Sequence, residues 1–412
     1  MAVTRLRMDE LVNAWVADSA TPFQIALVGR LDAAPFRLHD GALDVRRIRR
    51  ELAARARRVE DLRRRVVWTR CGEGMPVWAP DPAFDPDRHI AVATLPPGRD
   101  LASWAAGRIV RPLPMDRPLW RAEVVDGLPG ARFGLVVVVH HVAADGLAGV
   151  RLAGSLLDGA PGVDVPAPPP HLAPPLPSHR ELRAAHVQEL ARALRRVRVP
   201  TRPRPGRVRE LVRELRSVSA ELRTPTSATS LPRRVGPTRQ LAVVREPLAD
   251  LRRSGHALGV TVNDLLLAAV TGGLRALLTS RGEAVSGMTL RASVPVVTGR
   301  GVQASGVLLV DLPVGDADPL RRLASIRAAT TRAKRRHHTG PAGVASLVHL
   351  PIPLARLVMR WMRRFGASRV TLFVTDVPGP AAPLWLAGAR LLDAVPVAPL
   401  VQRVGLGVAA LS

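Results

Sequence analysis

An apolar run, Phe133 to Val139, ends directly in His140-His141-Val142-Ala143-Ala144-Asp145-Gly146. With 11 His and 33 Gly among 412 residues, the pattern HHxxxDG arises by chance about once in a thousand chains of this composition. A strand end is a rigid support, and a neutral imidazole held there is well suited to take a proton from a hydroxyl near neutral pH. His141 is the candidate base, with His140 beside it. Asp145 can fix the loop through hydrogen bonds or an arginine pair, and Gly146 leaves room for a reactant to approach. The competing reading is a satisfied pair of core histidines closing a strand. The residues taken together favour the chemical reading.

Other chemistries lack their residues. There is no GxSxG elbow for an acyl-serine hydrolase. Neither GxxxxGK[ST] nor GxGxxG is present, so no phosphate cradle is indicated. Cys71 is the single cysteine, which excludes a disulfide framework and a cysteine-rich zinc site. No His/Asp/Glu cluster has metal-ligand spacing, and His337-His338 lie at a basic helix end; no metal and no permanently bound cofactor are expected. What remains is direct transfer, in which a base activates one reactant's nucleophile to attack a second reactant.

The elements that must position this motif are legible from periodicity. Residues 119–125 and 133–139 read as strands flanking the turn Asp126-Gly-Leu-Pro-Gly130. The second is apolar on both faces and is expected to be central. Residues 43–66 carry apolar positions at steps of three and four and predict one amphipathic helix. Residues 161–177 contain eight prolines, a density that no core element survives. Residues 178–216 follow with 12 Arg against 4 Glu and read as partly helical and solvated. A second alternation then begins: a strand at 241–244, helices at 248–258 and 262–280, strands at 289–296 and 306–313, a helix at 318–338, and strands at 369–376 and 404–411. This predicts an α/β protein of two domains, 1–160 and 236–412, joined by a Pro/Arg-rich crossover at 161–235.

The hydrophobic share of 47% suits a packed chain, and the net charge of +26 suits anionic partners. Arginine supplies all but one of the 60 basic residues, Tyr is absent and Asn occurs twice, a bias that a GC-rich genome explains in part. Aromatics at 3% disfavour a single-strand nucleic-acid binder, and no specific nucleic acid is expected. The N-terminus shows no apolar segment with a cleavage site, and the longest uncharged run, 339–355, is broken by three prolines. Neither secretion nor a membrane span is expected.

The blocks Arg111 to Asp158 (with Pro118-Leu119-Trp120 and HHxxxDG), Thr261 to Arg275, Val307 to Pro319 and Val377 to Leu400 occur in an order that resembles the bacterial wax ester synthase/diacylglycerol acyltransferases. These belong to the superfamily that includes chloramphenicol acetyltransferase and peptide-synthetase condensation domains. The resemblance implies two chloramphenicol-acetyltransferase-like domains, each a mixed sheet flanked by helices, with a reaction tunnel at their interface. It implies an O-acyltransferase moving a long-chain acyl group from acyl-CoA to diacylglycerol or a fatty alcohol. His141 is then the base and Asp145 a structural partner. Asn263, one of two asparagines, is either a helix cap or an amide donor to the tetrahedral oxyanion, with Asp264 next to it. Trp120 lines the acyl tunnel or packs the core.

Two departures stand out. Asp376 occupies a position where the family usually has Asn, before Val-Pro-Gly-Pro. The chain also stops at Ser412, where family members continue through a hairpin and a helix, so an uncovered sheet edge is expected.

In residues 354–365, Leu354, Leu357, Val358, Trp361, Met362 and Phe365 share one helical face, opposed by Arg356, Arg360, Arg363 and Arg364. That pattern fits an interfacial helix on an anionic membrane or lipid inclusion, or equally a helix packed on the protein itself. A cytoplasmic enzyme peripherally bound to lipid follows from the first alternative. Two further functions stay open: a condensation-type acyltransferase of specialised metabolism, and a non-catalytic lipid-binding paralogue.

Overall fold

Asp126-Gly127-Leu128-Pro129-Gly130 reverses the chain between two strands, and Gly130 takes the positive φ of 74° that a turn here requires. A computed structural model describes residues 4–18, 20–144, 146–163, 173–196, 227–297, 305–338, 356–357, 360 and 370–412. The chain opens with β1 (Thr4–Arg5), α1 (Met8–Val16), β2 (Gln24–Asp32) and α2 (Val45–Arg58). Next come β3 (Arg64–Val67), β4 (Val77–Pro80), β5 (Ile90–Thr94), α3 (Leu101–Ile109), β6 (Trp120–Leu128) and β7 (Arg132–His140). Helices α4 (Gly146–Gly154), α5 (His179–Arg196), α6 (Leu248–Leu258) and α7 (Val262–Ser280) follow. The remainder is β8 (Leu290–Val297), β9 (Ser305–Leu312), α8 (Pro319–His338), β10 (Leu372–Val377), β11 (Trp385–Leu386), β12 (Ala389–Val397) and β13 (Leu406–Leu411).

These elements form two compact units. The first comprises Met1–Leu11, Gln24–Arg209 and Pro380–Val395. Its main sheet has the order β11-β12-β2-β7-β6-β5, and a small sheet has the order β1-β4-β3. β7 pairs antiparallel with both β2 and β6, and it is buried from Phe133 to His140, as its unbroken apolar run predicts. One face of the sheet, with Leu135, Val137, Val139 and Trp120, packs on Ile48 and Leu52 of α2 and Leu152 of α4. On the other side, Glu123 of β6 binds α3 through Arg108 at 2.9 Å and the Trp104 Nε1–H at 2.9 Å.

The second unit comprises Val12–Phe23, Glu210–Gly379 and Pro396–Ser412. Its sheet has the order β13-β10-β8-β9, with β10 parallel to both β8 and β13. Leu267 and Leu274 of α7 and Ile326 of α8 cover Leu290, Ala292, Val310 and Leu372 of that sheet.

Two expectations need correction. Residues 43–66 are not one helix: α2 ends at Arg58, Val59 is extended, a 3-10 turn covers Glu60–Leu62, and β3 begins at Arg64. Val66 keeps the helical spacing because it is buried in β3, opposite Trp78, so burial imitates the period. Residues 241–244 alternate in exposure, yet they join no strand ladder among the described residues, and Val244 is 85% exposed. By length and composition alone α7 could cross a membrane, but Leu267, Leu274 and Leu278 pack it on the second unit's sheet.

Candidate active site

β7 carries the two histidines to its end and then releases them differently. His140 is the last strand residue, in register with Gln24 of β2, and its amide N–H donates to Leu119 O at 2.9 Å. The Ala143 N–H donates to His140 O at 2.9 Å, closing a turn with His141 at its second position. His140 is therefore buried at 4% exposure, whereas His141 leaves the strand and is half-buried.

The Val142 N–H donates to His140 Nδ1 at 3.2 Å, so that nitrogen is unprotonated and the ring proton sits on Nε2. Burial, aided by the neighbouring His141, pushes the His140 imidazole down to about 4. His140 is neutral across the physiological range and structurally committed. Its ordinary value is 6.5, so the unfolded chain takes up a proton that the native one refuses. Stability is full above pH 6.5 and falls toward pH 4, by about 3 kcal/mol at most. An NMR titration will show the His140 Cε1–H shift constant down to about pH 5; a midpoint near the ordinary value would contradict this burial.

Sequence reasoning missed Gln24. It is fully buried, its amide donates to Ile109 O at 2.7 Å and Arg111 O at 3.1 Å, and its Oε1 accepts from the Leu113 N–H at 2.7 Å. Beside His140 in the ladder, it ties the strand end to the chain leaving α3. A polar residue starting a strand gives no local signal of that role.

Gly146 is the first residue of α4, and Asp145 lies outside the described residues. Helix α4 lies so close to β2 that a Cβ at Gly149 would collide with Ile25 Cδ1.

Trp120 is 2% exposed; its Nε1–H donates to Leu62 O at 2.8 Å, and its ring stacks on His89 at 4.7 Å between centroids. It is built into the core.

In the second unit, the cap of α7 is Thr261, not Asn263. The Thr261 hydroxyl accepts the Asp264 N–H at 3.2 Å, and Asp264 Oδ2 accepts the Thr261 N–H at 3.1 Å, a capping box. Asp264 Oδ1 also accepts the Thr330 hydroxyl of α8 at 2.8 Å, so this buried carboxylate fastens two helices. Asn263 is half-buried, and its side chain takes no part in the capping. No group of three or more His, Cys, Asp or Glu that could hold a metal exists among the described residues. Arg360 is exposed, and Trp361, Arg363 and Arg364 lie outside the described residues.

Residues 17–266 match the wax ester synthase/diacylglycerol acyltransferase catalytic domain, and residues 304–412 match the WS/DGAT C-terminal domain. A probable diacylglycerol O-acyltransferase of Mycobacterium tuberculosis is 32% identical over 350 residues, covering 82% of this chain and 74% of the relative. A second, putative diacylglycerol O-acyltransferase of that organism is 31% identical over 378 residues, covering 87% and 79%. Among solved structures, the wax ester synthase/diacylglycerol acyltransferase from Marinobacter aquaeolei VT8 has a TM-score of 0.70 at 23% identity, covering 99% of this chain and 90% of that one. The first condensation domain of the calcium-dependent antibiotic synthetase has a TM-score of 0.55 at 19% identity, covering 99% and 86%. The fold is thus the two-domain chloramphenicol-acetyltransferase type. The chain belongs to the wax ester synthase/diacylglycerol acyltransferase family.

Proposed function

We propose that this chain is an O-acyltransferase that moves a fatty acyl group from acyl-CoA to the hydroxyl of diacylglycerol or a fatty alcohol, with His141 as general base. The observation that carries the choice of base is the contrast at the strand end. His140 is buried with its Nδ1 accepting a backbone N–H, while His141 is half-buried at the turn.

In this reading an unprotonated nitrogen of His141 takes the proton from the acceptor hydroxyl as its oxygen attacks the thioester carbonyl carbon. The tetrahedral intermediate collapses, the carbon–sulfur bond breaks, and the imidazolium returns the proton to the departing thiolate. The products are an ester and free CoA. Asp145 is a structural partner and not a proton carrier. Asn263 supplies an amide hydrogen to the developing oxyanion, a role its freedom from capping leaves open. Asn263→Ala will lower kcat by about 10²–10³ and leave the melting temperature unchanged, because Thr261 and Asp264 still cap the helix. Unchanged turnover removes that role.

Radiolabelled acyl-CoA offered with diacylglycerol, with hexadecanol, with an amine and with no acceptor tests the function. Triacylglycerol or wax ester is expected. A labelled amide formed only with an amine acceptor favours condensation chemistry, and lipid binding without any product favours a non-catalytic role.

A further inference from the structure

The second unit's sheet parts between two of its parallel strands. β10 keeps six residues in register with β13, from Leu372↔Leu406 to Val377↔Leu411. Toward β8 it keeps two pairs, Leu372↔Ala292 and Phe373↔Ser293. β8 nevertheless runs on to Val297, paired with β9. The sequence contains a cause. Pro295 lies just past the last β8–β10 pair and has no N–H to offer, and a proline inside a paired strand survives where its nitrogen faces an open edge. Beyond the ladder with β13, Val374, Thr375 and Asp376 make no backbone hydrogen bond among the described residues. The β8-facing edge of β10 thus holds unpaired main-chain groups toward its carboxyl end, the end at which open α/β sheets take ligands.

Asp376 stands on this stretch. Leu372 and Val374 are buried on the face that α7 and α8 cover, and the two-residue alternation puts Asp376 on the same face. Asp376 Oδ1 is shut off from water and has no hydrogen-bond partner among the described residues. A shielded carboxylate oxygen in that condition is costly, and a folded chain keeps one where something else supplies the donor. One carboxylate is too few ligands for a metal ion. The missing partner is therefore an N–H or O–H group. An extended chain with N–H and C=O groups along it suits the open edge of a strand, because it presents what a neighbouring strand would.

We infer that the opening between β8 and β10 receives the pantetheine arm of the acyl donor, which lies along the free edge of β10 and donates an amide N–H to Asp376 Oδ1. The arm carries amide groups in an extended chain, so it answers both the unpaired edge and the lone acceptor. Diacylglycerol or a fatty alcohol answers neither, because its one hydroxyl is the group whose proton goes to the base. The phosphates of CoA do not fit beside a carboxylate, since like charges repel. The inference rests on the reading of acyl-CoA as donor and names the second unit's part in holding it.

Isothermal titration with three unreactive thioethers tests it: S-decyl-CoA, S-decyl-pantetheine, and S-decyl-pantetheine methylated on its amide nitrogens. The wild type is expected to bind the first two and to bind the methylated form about 10–100-fold more weakly, the loss of a hydrogen bond to a charged group. Asp376→Leu should weaken the first two by a similar factor and leave the methylated form unchanged, a coupling that a merely structural role would not produce. Its melting temperature should not fall, because the substitution removes an oxygen that the fold leaves unsatisfied. Asp376→Asn keeps one acceptor oxygen and should lose less than Asp376→Leu. Tight binding of S-decyl-CoA by Asp376→Leu, or equal binding of the amide and methylated forms by the wild type, overturns this inference and spares the acyl-CoA reading. A wild type that binds no S-decyl-CoA overturns both.

Discussion

His141→Ala will lower kcat for ester formation by about 10²–10⁴-fold and leave the thermal unfolding of the protein in place. The size follows from what the substitution removes. A hydroxyl attacks a thioester poorly unless its proton leaves in the transition state, and a positioned imidazole is the group available for that. The stability follows from what the substitution spares. The turn is closed by the Ala143 N–H on His140 O, and the strand end is anchored by Gln24 and Leu119; none of these bonds uses the His141 ring. His140→Ala should behave in the opposite sense. It opens a cavity in a buried position and frees the Val142 N–H, so stability falls first and activity follows the folded fraction. A His141→Ala enzyme that keeps its kcat would assign the base elsewhere.

Arg55→Met is expected to destabilise the first unit by about 3–5 kcal/mol, measured by urea unfolding at neutral pH. Arg55 is 4% exposed, and its Nε and Nη2 reach the two carboxylate oxygens of Asp158 at 3.0 and 2.5 Å, while Nη1 reaches Glu51 at 2.7 Å. Burial pulls this guanidinium down, but the bonds to Asp158 and Glu51 more than offset it and hold it above its ordinary value. Asp158 is also joined to Trp385 by two backbone bonds, Asp158 N–H to Trp385 O at 2.7 Å and Trp385 N–H to Asp158 O at 2.9 Å. One cation therefore links α2, the chain after α4 and the hairpin β11–β12. Methionine fills the space and leaves a shielded carboxylate without its partner, which is the costly arrangement. Adding Asp158→Asn should recover part of the loss. A loss below about 1 kcal/mol for Arg55→Met would show the pair to be solvent-screened.

The candidate motif stood out in the sequence because it combines a rare residue pattern with a strand buried on both faces, and both signals are local. β7, the β6–β7 turn, α6 and α7 stand where periodicity put them for the same reason. What escaped was non-local. β2 begins with Gln24 and carries Arg30, whose partner is Asp393 of β12, more than 360 residues away in the chain. The hairpin β11–β12 completes the first unit's sheet, yet nothing in Ala389–Val397 marks which sheet it will join. At residues 59–66 a turn and a strand happened to bury apolar residues at helical spacing. At α7 the scarcity of asparagine drew attention to Asn263, whereas the hydroxyl two residues earlier makes the cap and Asp264 completes it. Composition singles out a residue; hydrogen-bond geometry decides which neighbour holds the helix.

The proposed reaction is a direct transfer assisted by an imidazole, without an acyl-enzyme. Intact-protein mass spectrometry after incubation with acyl-CoA alone tests this most directly. The predicted result is an unmodified mass, with thiol release and ester formation beginning together only when the alcohol is added. A mass increase equal to one acyl group, formed without acceptor and discharged on its addition, would contradict it.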